Sequence, residues 1–238
     1  MKKQTLNYLI IAAIAVSAAF TSCKKDDDDP YITMTTNVTA FEFYLAGTGG
    51  VTINWGDGSP IEKHTLDGSS ESEYILYQYA HTYSTTNPRV VTITGKNITY
   101  LHCSELASLN VSNCAKLVKL NVINSQLTSF DVSKNTKLTE LRCYNSQLTS
   151  LDVSKNVMLK RLNCSNNQLT SLNVSNCYAL GHLYCMNNNL TEAALNNLFN
   201  TLPINELPSR YIWISGNPGT DSCNRSIAEN KGWHFNFF

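Results

Sequence analysis

The feature that most restricts this chain is a repeat. Leu127-Thr-Ser-Phe130-Asp-Val132-Ser-Lys-Asn135 returns as Leu148-Thr-Ser-Leu151-Asp-Val153-Ser-Lys-Asn156 and as Leu169-Thr-Ser-Leu172-Asn-Val174-Ser-Asn-Cys177. An earlier copy reads Leu106-Ala-Ser-Leu109-Asn-Val111-Ser-Asn-Cys114, and the starts at 106, 127, 148, 169 and then Leu190 lie 21 residues apart. The second half of each unit keeps the same period: Leu117, Leu138, Leu159 and Leu180; Leu120, Leu141, Leu162 and Leu183; Val122, Cys143, Cys164 and Cys185. One unit therefore carries two L-x-x-L-x-(V/C) segments. Their alternating parts predict two short strands per unit, each with its apolar side chains on one face.

Such a unit cannot bury its own apolar row. Stacked units bury those rows against one another, so several are needed for stability. Equivalent positions are then expected about 4.8 Å apart, the spacing of neighbouring strands. The Asn or Cys at 114, 135, 156 and 177 falls at a bend, where Asn can hydrogen-bond the backbone of its own bend and of the next coil. These residues read as a structural ladder.

The pattern L-x-x-L-x-C-x-x-N-x-L-T-x-L-D-V-S-x-N, over roughly residues 101–190, resembles bacterial leucine-rich-repeat surface proteins, in particular internalin-like repeats with a cysteine column. The resemblance implies a solenoid. Val122 departs from the Cys column, and Ser125 and Ser146 stand where Asn167 and Asn188 stand later. Those departures suggest looser packing near the start of the repeat.

Of the eight cysteines, Cys143, Cys164 and Cys185 share one interior column, and Cys103 begins it. Parallel stacked side chains suit free, buried thiols better than the disulfide dihedral, although their backbones are close enough for a bridge. No C-x-x-C occurs and the five His are scattered, so no metal site and no cofactor are expected.

The chain begins with Lys2 and Lys3, an apolar run from Tyr8 to Phe20, and then Thr21-Ser22-Cys23. That is the layout of a signal peptide, and the run is short for a transmembrane helix. Ala19-Phe20-Thr21-Ser22-Cys23 resembles a bacterial lipobox, which implies lipidation at Cys23. An ordinary signal peptide with an incidental Cys is the other reading. Lys24-Lys25-Asp26-Asp27-Asp28-Asp29-Pro30 is a solvated tether. It also resembles the acidic tag of outer-surface lipoproteins, which implies a surface-exposed place on the bacterial outer membrane, held only by lipid. A plain spacer is the alternative.

Residues 31–99 differ from the repeat. Phe41-Glu-Phe43-Tyr-Leu45 and Val51-Thr-Ile53-Asn-Trp55 alternate, Gly56-Asp57-Gly58-Ser59-Pro60 is a turn, and Tyr74–Tyr83 and Arg89–Thr94 add strands. A small β-sandwich is expected. Trp55-Gly56-Asp57-Gly58 with His81-Thr82-Tyr83 resembles the signature of PKD-like, immunoglobulin-like modules. Trp55 then anchors the core and Asp57 the turn, with a ligand site around Asp57 as the alternative. After Leu190 the period stops. Thr191-Glu192 opens a helix bearing Leu195, Leu198, Phe199 and Leu202, Tyr211-Ile-Trp213-Ile is a last strand, and Ser226–Lys231 a short helix ended by Gly232. This segment, with Trp233, Phe235, Phe237 and Phe238, is expected to plug the open end.

The full expectation is a mainly β chain: signal peptide 1–22, lipidated Cys and acidic tether 23–30, PKD-like sandwich 31–99, leucine-rich-repeat solenoid 100–190, and a short α/β cap 191–238. Charged residues make up only 15% and the net charge is zero, which gives no basic footprint for nucleic acid. No phosphate loop, G-x-S-x-G or H-E-x-x-H is present, so an enzyme is not expected. The outward positions of the L-x-V segments barely vary (Asn110, Asp131, Asp152, Asn173), which suits a structural surface. Those of the L-x-C segments vary, and Tyr and Arg are favoured contact residues. Arg142, Tyr144, Arg161, Tyr184 and Met186 are therefore the candidate binding patch, against the alternative of ordinary exposed surface. Three roles are open: binding or adhesion to a host or bacterial surface protein, glycan binding in polysaccharide uptake with Tyr144 and Tyr184 as stacking platforms, or a structural envelope part.

Overall fold

The computed structural model describes residues 31–68, 75–204 and 210–236. The signal segment, Cys23 and the tether lie outside the described residues, as do Tyr74, Phe237 and Phe238. The chain is mainly β. Its strands are β1 (Tyr31–Thr36), β2 (Ala40–Asn54), β3 (Glu62–Gly68), β4 (Tyr77–Thr82), β5 (Arg89–Thr94), β6 (Ile98–Ser104), β7 (Leu106–Asn110), β8 (Lys119–Ile123), β9 (Glu140–Arg142), β10 (Arg161–Asn163), β11 (His182–Tyr184), β12 (Arg210–Trp213) and β13 (Trp233–Phe235). Two helices, α1 (Glu192–Thr201) and α2 (Ser226–Glu229), interrupt the series near its end.

One continuous, open sheet contains all of these strands, in the order β13-β12-β11-β10-β9-β8-β6-β2-β5-β1-β7, with β3 and β4 also paired to β2. It is not a closed solenoid. From β6 onward neighbours are parallel and in register: Leu101 lies opposite Leu120, Leu120 opposite Leu141, Leu141 opposite Leu162, and Leu162 opposite Leu183. All five leucines are fully buried, so the 21-residue period does stack like positions into one apolar column.

Only one segment of each repeat keeps strand pairing. The L-x-V segment is a strand in its first copy, β7, which pairs antiparallel with β1. In later copies its backbone turns instead, with the Asn135 N–H donating to Val132 O at 3.0 Å and the Leu138 N–H to Asn135 O at 3.1 Å. The Asp131 carboxylate also takes the Ser133 N–H at 2.7 Å. The first copy has the same bonds, from the Cys114 N–H to Val111 O at 2.9 Å and from the Ser112 N–H to Asn110 Oδ1 at 2.9 Å, and its strand forms because β1 supplies a partner. Few bonds link neighbouring coils there, as from the Gln147 N–H to Leu127 O and from the Thr149 N–H to Thr128 O.

The alternating stretches 41–45 and 51–55 form one strand rather than two. Its first half pairs with β4 and β6, its second with β3 and β5. The change of partner falls where the register shifts at Ala46/Gly47. Gly47 has φ 154°, and a Cβ there would overlap Asn97 O, so only glycine fits this bend. Buried Phe41, Phe43, Leu45, Ile53, Trp55 and Ile93 form the module's core, which runs without a break into the leucine column.

At the other end, α1 starts where Thr191 Oγ1 accepts the Ala194 N–H at 3.3 Å, and it buries Leu195, Leu198 and Phe199. Trp233 is buried and donates its indole N–H to Pro203 O at 3.1 Å. It belongs to β13, one strand more than the sequence pattern suggests, and Phe235 packs edge-on against Phe199.

Candidate recognition face

Three columns of polar side chains hold the coils in place. Asn135 and Asn156 sit at the bends after Val132 and Val153. The Asn135 amide donates to Val111 O at 3.0 Å and Cys114 O at 2.9 Å, and the Asn156 amide to Val132 O at 3.1 Å and Asn135 O at 3.0 Å. A second column joins the two halves of each coil. The Asn167 amide donates to Cys143 O at 2.8 Å while its Oδ1 accepts the Leu148 N–H at 3.0 Å, and Asn188 repeats this one coil later with Cys164 O and Leu169 N–H. The third column is exposed. Asn124, Asn145, Asn166 and Asn187 all have left-handed backbone, φ 49–55°, and their side-chain amides bond one to the next at 2.6–2.8 Å. Asn tolerates that conformation better than most residues. The column continues at Gly216, φ 74°, where a Cβ would overlap the Asn187 amide.

The cysteines lie behind the face. Cys103, Cys143, Cys164 and Cys185 are buried free thiols. Burial pushes the Cys164 thiol up to about 12 and the Cys143 and Cys185 thiols well above their ordinary range. Neutral thiols of this kind are poor nucleophiles and poor metal ligands.

In front of this frame, outward side chains align in register. One row runs His102, Asn121, Arg142, Asn163, Tyr184 and Trp213. A parallel row runs Tyr100, Lys119, Glu140, Arg161, His182 and Tyr211. Arg142 and Glu140 form an ion pair at 2.6 Å. Of the patch named from the sequence, Arg142 and Tyr184 share the first row, about 10 Å apart across Asn163. Arg161 stands in the second row, and Tyr144 and Met186 lie just beyond β9 and β11. All five are half-buried. His182 is held below the usual imidazole range by burial and by the Arg161 charge.

The C-terminal end of the face is aromatic. Tyr184 and Trp213 stack with centroids 4.0 Å apart and planes 12° from parallel. His182 lies 5.9 Å from Tyr211, and Tyr211 is 5.8 Å from His234. Trp213, Tyr211 and His234 were not legible as part of the patch. The helix α1 lengthens the last coil, so Trp213 follows Tyr184 by 29 residues rather than 21 and the period hides the match. The surviving signal is the alternation in Tyr211-Ile-Trp213-Ile.

The W-G-D-G cluster is built as a lock. His81 bonds the Asp57 carboxylate at 2.7 Å and stacks on Trp55 at 4.9 Å, and the Tyr83 hydroxyl donates to Trp55 O at 2.9 Å. Ser59 and His81 hold the Asp57 carboxyl well below the usual carboxylate range. No group of three or more metal-ligating side chains occurs among the described residues. Asp131 and Asp152 serve their own turns, taking the Ser133 and Ser154 N–H groups, as Asn110 and Asn173 do for Ser112 and Ser175.

No protein-family model matches the chain, and no curated protein does. Among solved structures, the functional domain of InlJ from Listeria monocytogenes, which includes a cysteine ladder, is similar at 27% identity over 51% of this chain, with a TM-score of 0.45. The match spans 26% of that chain's length.

Proposed function

We propose that this chain is an internalin-like leucine-rich-repeat solenoid with a PKD-like module, lipid-anchored through Cys23 on the bacterial outer surface, and that it binds a protein partner without catalysis. Arg142, Tyr144, Arg161, Tyr184 and Met186 carry the contact, with the buried Trp213 stacked against Tyr184. The observation that carries this reading is the contrast between the two sides of each coil. One side repeats small residues that serve their own turns. The other displays Arg, Tyr and His in register on a paired strand ladder, with the buried Trp213 as the support of Tyr184. Rigid display lowers the ordering cost of binding, and Arg, Tyr and Trp dominate interface energies. The His81–Asp57 pair belongs to the turn lock beneath Trp55, and Glu140 pairs with Arg142.

The test is binding of residues 31–238 to an arrayed library of surface-protein ectodomains and to a glycan array, with Arg142→Ala and Tyr184→Ala beside the unaltered protein. A protein hit weakened at least about tenfold by either substitution supports the reading. Unchanged affinity in both variants removes this face. Glycan hits alone remove the protein partner.

A further inference from the structure

The outward row does not stop where the repeat begins. Across β6 it continues into the N-terminal module: His102 pairs with Tyr44 of β2, and Tyr44 pairs with Gln78 of β4. Tyr44 lies between core residues Phe43 and Leu45 and therefore faces outward, edge-on to the His102 ring at 5.5 Å. Glu42, one outward position away, accepts the Gln78 amide at 2.8 Å. We infer that the N-terminal module is part of the recognition face rather than a spacer, and that the combined face takes an extended, acidic polypeptide segment. This rests on the proposed function of the face.

Size is the first argument. The repeat portion alone, from Asn121 to Trp213, covers four strand spacings, about 19 Å. A strip that long and three side chains wide is far below the ~800 Å² per partner of a stable interface. Including β6, β2 and β4 extends it to about 34 Å, the length of about ten residues of extended chain. Charge is the second argument. The face carries Lys119, Arg142 and Arg161 at its middle, against Glu140 there and Glu42 at the module end. A complementary partner is acidic there, and its association weakens with salt. Ring geometry is the third. Tyr184 and Trp213 turn their faces to each other, and Tyr44 meets His102 edge-on, so the face presents ring edges. Edges pack against aliphatic and aromatic side chains, whereas a sugar ring needs an open aromatic face.

The experiment uses the mature chain and an array of ten-residue synthetic peptides alternating Asp or Glu with Leu, Ile and Tyr, each beside its Asn/Gln counterpart. Neutral and sulfated oligosaccharides form a parallel arm. Acidic peptides are expected to bind about tenfold more tightly than their amide counterparts, and less tightly at high salt. Arg161→Glu, Tyr184→Ala, Tyr44→Ala and His102→Ala should each weaken that binding several-fold at a temperature where circular dichroism shows every variant folded, whereas Thr149→Ala should not. If Arg161→Glu and Tyr184→Ala weaken binding and Tyr44→Ala and His102→Ala do not, the extension onto the N-terminal module is wrong and the proposed function stands. Selective binding of an oligosaccharide overturns the polypeptide assignment. Silence of every peptide overturns the acidic-segment inference, while the ectodomain array judges the proposed function independently.

Discussion

Ser146 marks a weak joint at the level of single residues. Its hydroxyl is buried with no hydrogen-bond partner, at the position where Asn167 and Asn188 each tie two coils together. Asn there has the reach to donate to the carbonyls flanking the bend and to accept the Leu127 N–H, as Asn167 does for Leu148. Ser146→Asn is expected to stabilise by about 1 kcal/mol. Asn167→Ala orphans Leu148 N–H and a buried carbonyl, and should cost about 3 kcal/mol. Urea unfolding of both variants checks the pair, and a neutral Asn167→Ala would show that water replaces the amide. The bend residues Asn135 and Asn156 were legible as a ladder from their period, whereas the role of Asn167 and Asn188 was not. The left-handed column of Asn124, Asn145, Asn166 and Asn187 was not singled out, because its reason is a backbone angle that no pattern of polarity displays.

The same logic at the level of the coil concerns the cysteines. Their column was readable because every twenty-first residue falls on one interior line, and parallel thiols suit packing better than bridging. Seven cysteines lie among the described residues; six are buried and only Cys223 is partly exposed. In residues 31–238, a thiol reagent at neutral pH should modify at most one group quickly and the other six only on unfolding, because the reactive thiolate is suppressed by burial. Rapid modification of Cys143, Cys164 or Cys185 would mean that the coils open locally. Beyond β7, the second strand expected in each coil did not form. The first copy makes the same Asx and bend bonds, at Asn110-Val-Ser112 and Val111–Cys114, and its strand forms because β1 supplies an antiparallel partner.

Across the whole molecule, β6 is the joint that matters. It pairs antiparallel with β2 on one side and parallel with β8 on the other, so the N-terminal module covers the end of the repeat that would otherwise be open. Leu101 and Cys103 on β6 are fully buried between the two. The stability of stacked repeats depends on such nearest-neighbour interfaces and on covered ends. The three tryptophans report on both regions: Trp55 on the module, Trp213 and Trp233 on the far end. Urea unfolding should give coincident transitions for a Trp55→Phe variant and for a double Trp213→Phe, Trp233→Phe variant. Two separated midpoints would show that the shared sheet does not couple the parts energetically.

The amino-acid order alone determined the period, and with it the leucine column, the buried thiols, the Asn bends after Val132 and Val153, and the helix opened by Thr191. Each follows from local spacing, and stacking multiplies a local rule into a whole face. Only the tertiary structure decided that β2 bends at Gly47 to serve two sets of partners, that β6 fuses module and repeat into one sheet, and that Trp213 joins Tyr184 across an inserted helix. Those outcomes depend on pairing between residues far apart in the chain. The free energy of such pairing comes from cross-strand bonds and shared burial, which leave no periodic trace.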